Sequence, residues 1–277
     1  MRVAVAQTEP KLAEKERNLD ACLSLLEEAA GRDAELLVLP ECAVPGYMFD
    51  SLEEALPFGE EIPGPTTEAF EQACRRLGAH AICGLLERDG DRLYNAAILV
   101  GPDGLIGSYR KTHLPFLGVD RFVTPGDELK VFDTALGRIG LIICYDLRFP
   151  EVTRTLALHG ADLVALPTNF PTAAKVQTEV ITLARAAENR IYLLCANRVG
   201  KERWGEFCGW SQIVDPYGKR LAEAGETEET LLVADVDVEK ARDKDYVVPG
   251  EYELYLFGHR RPELYEALVE EQSTVRA

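Results

Sequence analysis

The chain has no uninterrupted apolar stretch approaching the ~18 to 20 residues a membrane span requires. At 47% hydrophobic and 28% charged residues, its composition is that of a globular protein. It is also short of base: 30 Lys and Arg stand against 47 Asp and Glu, a net charge of −17. That balance opposes nucleic acid or an anionic membrane as a partner. Its seven cysteines, at 22, 42, 74, 83, 144, 195 and 208, are odd in number, scattered and without a CxxC pair. Neither a disulfide framework nor a zinc cluster is indicated, and most should be reduced core residues. The opening MRVAVAQTEP reads straight into a strand and lacks the long apolar region and cleavage site of a signal peptide, so a cytoplasmic protein is expected. Low-complexity segments and solenoid-type repeats are absent. A single domain over residues 1–277 is expected from the length.

What the sequence does have centres on Gly137 to Phe170, GRIGLIICYDLRFPEVTRTLALHGADLVALPTNF. The short β-branched run Ile139 to Ile143 suits a buried strand, and Pro150 fits the first turn of a helix, where its missing N–H costs nothing. Val152, Leu156 and Ala157 give that helix an apolar face, Gly160 ends it, and Asp162 to Leu166 begins another buried strand. Cys144 sits at the turn. A helix N-terminus facing it would favour a thiolate, although a small buried hydrophobe is a common role for cysteine.

An earlier stretch has the same order. Arg2 to Ala6 reads as a strand, and Leu19, Cys22, Leu23, Leu26 and Ala30 recur at helical spacing before Gly31. Ala34 to Leu39 is a second strand. Strand, helix, strand implies parallel pairing with a right-handed crossover, which delivers Glu41 to the carboxyl end of the sheet, where ligands bind in such folds. A long loop over 42–65 follows, with one helical turn expected around Ser51 to Ala55. Thr66 and Thr67 are the expected caps of the next helix. His80 to Glu87, Leu93 to Val100 and Leu105 to Tyr109, divided by Asp89-Gly90 and Pro102-Asp103-Gly104, predict an antiparallel meander ending at Arg110-Lys111.

Glu41, Lys111 and Cys144 thus fall just past strand ends. Singly, each has an ordinary reading as a loop acid, a surface cation or a core thiol. In the contexts LVLPE, YRKTHLP and GLIICYDLRFPE they resemble the nitrilase superfamily of carbon-nitrogen hydrolases. Asn95-Ala96-Ala97, Ala196 to Gly200, Phe207 to Ser211, Asp215 to Gly218 and Arg261 to Tyr265 extend the resemblance over nearly the whole chain. It implies an α/β fold, a four-layer α-β-β-α sandwich, and a catalytic set of Glu41, Lys111 and Cys144. Glu41 would act as general base, Cys144 as nucleophile, and Lys111 with the Tyr145 backbone N–H as oxyanion donors. That chemistry uses neither metal nor organic cofactor.

The sequence departs from this family at one place. Members often carry a second active-site glutamate after the lysine, whereas HLPFLGVDRFVTPGD has none before Glu128. Asp120 is the candidate replacement, with an ordinary loop aspartate as the alternative. CYDLRFPE is similar to the omega-amidase, deaminated-glutathione-amidase and N-carbamoyl amidohydrolase branches, which makes Arg148 a candidate for holding a substrate carboxylate. An ion pair with Asp146 or Glu151 is its structural alternative. Tyr47, Phe116 and Phe170 are candidate pocket-lining residues.

The expected partner is a small linear amide or N-carbamoyl compound, with a nitrile ranked after both. A papain-like pairing of Cys144 with His113 is the rival scheme, and it leaves Glu41 and Lys111 without a role. A binding protein on a hydrolase scaffold is the rival from outside enzymology. The resemblance implies a homodimer or higher homo-oligomer, and residues 252–277, dotted with Tyr252, Tyr255, Leu256 and Phe257, are the expected interface tail.

Overall fold

The protein was analysed as a computed structural model that describes residues 1–270. The first half runs β1 (Arg2–Gln7), α1 (Lys15–Gly31), β2 (Leu36–Val38), α2 (Leu52–Ala55), α3 (Pro65–Leu77), β3 (His80–Asp89), β4 (Arg92–Gly101) and β5 (Gly104–Arg110). After it come β6 (Val131–Thr134), β7 (Gly137–Leu141), α4 (Pro150–Leu158), β8 (Leu163–Pro167), α5 (Thr182–Asn189) and β9 (Tyr192–Ala196). The short pair β10 (Lys201–Glu202) and β11 (Gly205–Glu206) precedes β12 (Gln212–Val214), β13 (Arg220–Glu223), β14 (Thr230–Asp235) and α6 (Val238–Arg242).

Two six-stranded sheets result, ordered β14-β1-β2-β3-β4-β5 and β13-β12-β9-β8-β7-β6. Both expected crossovers are present: β1 pairs parallel with β2, and β7 with β8. The meander is antiparallel throughout, β3 on β4 and β4 on β5. Side chains alternate across each strand. Ala4, Ala6, Leu37 and Leu39 pack with Cys22, Leu26 and Phe70 of α1 and α3. Val3, Val5, Leu36 and Val38 point the other way and are fully buried where β1 and β2 meet β8 and β9 of the second sheet. Burying one such side chain is worth about 1.5–3 kcal/mol. The double-sided burial therefore explains the continuous apolar runs of these strands.

One local expectation is corrected. Thr66 and Thr67 lie inside α3, which starts at Pro65 with Gly64 as N-cap. The orphan N–H of Thr66 is instead taken by the side chain of the buried Glu60, at 2.9 Å. A proline at N1 sets the start one residue before the threonines, and a carboxylate six residues upstream does the capping.

The chain divides into two compact units, Met1 to Arg242 and Asp243 onward. The second unit begins nine residues before the tail drawn from sequence, and its portion over 271–277 lies outside the described residues. It contains a hairpin of β15 (Asp245–Val248) and β16 (Tyr252–Tyr255), with the Tyr255 ring edge-on to His259. Tyr252, Leu254, Leu264 and Leu268 are exposed. Among the described residues, no helix is long and apolar enough to cross a membrane.

Candidate active site

Glu41 and Cys144 occupy matching turns. Each belongs to a strand-to-loop exit that uses a non-glycine residue in the left-handed region: Cys42, one past the glutamate, and Cys144 itself both have φ of +47°. Such strain persists only where the surroundings impose it. At the first turn the imposing element is β3. A side chain at Gly84 would place its Cβ 2.5 Å from the Pro40 carbonyl and the Cys42 nitrogen. Only glycine lets β3 pass so close beneath Glu41.

Lys111 arrives from the end of β5 and is as deeply buried as Glu41. Its Nζ donates to Glu41 Oε1 at 2.7 Å and to Asp120 Oδ2 at 2.5 Å. Asn95, in the middle of β4, gives one N–H to Glu41 Oε1 at 2.7 Å and the other to Asp120 Oδ1 at 2.8 Å. The Tyr47 hydroxyl adds a 2.7 Å bond to Asp120 Oδ2, and the Tyr47 ring lies 5.8 Å from Nζ. A buried ammonium therefore stands between two buried carboxylates. Both Asp120 oxygens are occupied, whereas Glu41 Oε2 has no protein partner.

The electrostatics follow from burial. Desolvation pushes the Glu41 carboxyl above its ordinary range, Asp120 pushes the same way, and Lys111 and Asn95 oppose. For Lys111, burial pulls the pKa down, but Asp120 and Glu41 outweigh it and the amine is held as ammonium. Cys144 departs from the expectation of a helix-stabilised thiolate. Burial, and then the charge of Glu41, push its thiol up, while Lys111, the Thr168 hydroxyl and the Asn169 N–H oppose them. The reason is local: a 3-10 turn, Cys144–Arg148, intervenes before α4 begins at Pro150, and low dielectric outweighs the dipole. Free Cys144 is a protonated thiol.

Each remaining sequence candidate has a definite place. Asp120 joins Glu41 and Lys111, which the loop-aspartate alternative did not require. Tyr47 is fully buried and supports Asp120. Phe170 is buried, its N–H donating to Asn197 Oδ1 at 2.9 Å, whereas Phe116 is 90% exposed. Arg148 is exposed and makes no ion pair with Asp146 or Glu151 among the described residues. With the Gln177 amide oxygen turned toward it, Arg148 donates to that oxygen from Nε and, at 3.1 Å, from Nη2. Tyr145 follows Cys144 in the first turn of the 3-10 segment, where backbone N–H groups have no helical acceptor.

Sequence reasoning missed Asn95 as a member of the cluster, although a polar side chain amid LYNAAILV is itself a signal. It also missed Asn169, whose Nδ2 donates to the Glu41 carbonyl at 3.0 Å and so ties the end of β8 to the glutamate turn. His113, the rival base, has its Nδ1 2.8 Å from Asp146 Oδ1 and stacks on Phe149 at 3.9 Å. Among the described residues, no group of three or more His, Cys, Asp or Glu side chains is arranged to hold a metal ion.

Comparison with known proteins agrees with this geometry. A family model described as carbon-nitrogen hydrolase matches residues 2–246. A nitrilase of Pyrococcus abyssi is 41% identical over 248 residues, covering 88% of this chain and 92% of that protein. An omega-amidase of Bos taurus is 33% identical over 265 residues, covering 91% and 92%. Among solved structures, a mutant of the amidase from Nesterenkonia sp. AN1 with acrylamide added at its active site cysteine superposes with TM-score 0.79 at 27% identity, covering 97% of this chain and 100% of that one. Saccharomyces cerevisiae Nit3, a member of branch 10 of the nitrilase superfamily, superposes with TM-score 0.79 at 28% identity over 87% of this chain and 91% of its own.

Proposed function

The chain belongs to the carbon-nitrogen hydrolase family of the nitrilase superfamily, and we propose that it is a cofactor-independent amidase acting through a thioester on Cys144. The observation that carries this reading is the buried Lys111 ammonium, held at 2.7 and 2.5 Å between Glu41 and Asp120 and close enough to Cys144 to affect its ionisation. Two carboxylates need not do the same work. Asp120, with both oxygens occupied, fixes the ammonium. Glu41, with Oε2 unpartnered, is free to move a proton.

The steps follow from that division. As the thiol proton passes to Glu41, sulfur attacks the amide carbon, so a thiolate never has to exist free in the buried site. The oxygen that gains the electron pair is met by the Lys111 ammonium and the Tyr145 N–H, each such donor being worth ~10² to 10³ in rate. Collapse breaks the C–N bond while protonated Glu41 gives its proton to the leaving nitrogen. Ammonia departs and leaves the thioester. Glu41 then takes a proton from water as that water attacks, and the second collapse returns the proton to sulfur and releases the acid.

For the substrate, a small linear amide or N-carbamoyl compound bearing a carboxylate fits best, with Arg148 as the carboxylate anchor and Phe116 and Phe170 as candidate walls. Gln177 occupies part of the guanidinium fork and leaves it exposed on the remainder. The relative of Pyrococcus abyssi, a nitrilase by name, favours a nitrile as the second reading. A panel of acidic amides, neutral amides, N-carbamoyl compounds and nitriles, read by ammonia release, separates these. Ammonia from acidic amides first, and no turnover of nitriles, is expected; turnover of nitriles alone would replace the amidase reading.

The same reading includes a homodimer in which exposed Tyr252, Leu254, Leu264 and Leu268 of the second unit are covered by another copy, and a reducing, cytoplasmic setting in keeping with seven free cysteines. Light scattering at micromolar concentration is expected to give a dimer or larger; a monomer would refute that assembly.

A further inference from the structure

Asp146 is fully buried, and no step above uses it. Its Oδ2 accepts from the Ile143 N–H at 2.9 Å and the Tyr109 hydroxyl at 2.8 Å. Its Oδ1 accepts from the Thr112 hydroxyl at 2.9 Å and the His113 N–H at 2.9 Å, with His113 Nδ1 also at 2.8 Å. The donors fall into two groups. Ile143 directly precedes Cys144 just past the second sheet's β7, while Tyr109, near the end of the first sheet's β5, and Thr112 and His113, just past it, flank Lys111. One carboxylate thus joins the residue before the nucleophile to residues on both sides of the buried cation.

The local geometry adds a second link. The Asp146 N–H donates back to the Ile143 carbonyl at 3.1 Å, so backbone and side chain of Asp146 together close a ring over Cys144 and Tyr145. That ring holds Cys144 at its left-handed φ and keeps the Tyr145 N–H outside the turn's own bonding.

We propose that Asp146 is a positioning residue that sets the Cys144 sulfur and the Tyr145 N–H in register with the Lys111 ammonium across the two sheets. The proposal rests on the roles assigned to Cys144 and Lys111. Its force lies in the geometry of the reaction: the carbonyl carbon must reach sulfur while its oxygen reaches donors carried by two different sheets, and a misplacement of about 1 Å can cost about 10²-fold.

Asp146→Asn is the informative change, because an amide cannot accept on both sides. The Tyr109 and Thr112 hydroxyls can rotate to accept, but the Ile143 and His113 N–H groups cannot. Asparagine therefore leaves one of those two N–H groups facing an NH2. The His113 N–H bond is only partly buried whereas that of Ile143 is buried, so the retained oxygen should serve Ile143 and the Lys111 side should loosen.

The test measures kcat and KM of Asp146→Asn, Asp146→Glu and Thr112→Val for an amide the wild type hydrolyses, normalised to folded protein by circular dichroism. Cys144→Ser and Lys111→Ala serve as references. Asp146→Asn is expected to lower kcat by about 10²-fold with KM within about threefold of wild type. Asp146→Glu should fail to rescue, since it keeps the charge but moves it. Thr112→Val, which leaves the Ile143 ring intact, should lower kcat by about 3- to 10-fold and keeps the test decisive if Asp146 variants do not fold. Inactive references with normal kcat in folded Asp146→Asn, or in Thr112→Val, would overturn the positioning role alone. Active references would overturn the site reading and the proposal with it.

Discussion

The glutamate end and the cysteine end of the site are built on the same backbone move and serve opposite purposes. Both turns carry a residue at φ of +47° after a parallel strand. Around Glu41 the neighbours are charged and buried, Lys111, Asp120 and Asn95, and what they fix is where protons and charge reside. Around Cys144 the fixing is done by backbone bonds and the Asp146 carboxylate two residues on, and what they fix is position. In the proposed mechanism, charge is set where the proton would move, and geometry where the bond would form. On the proposed roles, the difference teaches that a buried nucleophile need not be pre-ionised when its base has an open lone pair.

Substitutions can break this comparison, and the largest effects belong to the reacting groups. Glu41→Gln, Lys111→Ala and Cys144→Ser should each lower turnover by ~10² or more with the circular dichroism spectrum preserved. Near-normal turnover in one of them would remove that residue from the site. Asp120→Asn comes next. It keeps the shape but strips one anion from the ammonium, so kcat should fall by about 10- to 10²-fold, less than for Glu41→Gln. An equal or greater loss in steady-state kinetics would mean that Asp120, not Glu41, moves the proton.

Asn95→Ala sharpens the charge side through pH. As the proposed base, Glu41 must be ionised to accept the thiol proton, so kcat/KM should rise with pH through its carboxyl pKa, which burial and Asp120 hold above the ordinary 4.5. The Asn95 hydrogen bond favours the ionised form. Removing it should move that acid limb to higher pH, with a loss of about tenfold on the acidic side and little change on the plateau. A limb that stays in place, or moves down, would show that Asn95 does not act on Glu41.

The smallest effect is expected at a residue that would touch the substrate and none of the reacting atoms. Arg148→Lys should raise KM for acidic amides by a few-fold and leave neutral amides alone, because lysine lacks the planar fork. Equal effects on both, in parallel KM measurements, would return Arg148 to a structural role beside Gln177.

Much of this was legible in sequence because its signals are local. Strand periods, Gly31, Gly78 and the Asp89-Gly90 turn mark the strands, helices and meander, strand-end placement gathers Glu41, Lys111 and Cys144, and the resemblance carried by their motifs implies the sandwich and the catalytic set. What stayed hidden depends on the packing of distant segments. The ordering of Asp120 by Tyr47, the double hydrogen bond of Asn95, the span of Asp146 between sheets and the raised thiol pKa of Cys144 all arise from groups brought together only on folding. Capping of α3 by Glu60 stayed hidden for a related reason: threonine at a helix start is a strong local signal, and a proline one residue earlier displaced it.

The most direct test of the central claim is partition by hydroxylamine, a small nucleophile stronger than water at neutral pH. With an amide the enzyme hydrolyses, a Cys144 thioester is intercepted to give hydroxamate in place of acid, and the hydroxamate-to-acid ratio rises with hydroxylamine concentration. If acylation limits turnover, total ammonia release stays constant as the products exchange; if thioester breakdown limits it, ammonia release accelerates. Either pattern is the predicted result. Free acid alone at high hydroxylamine, at an undiminished rate, would contradict a covalent intermediate on Cys144.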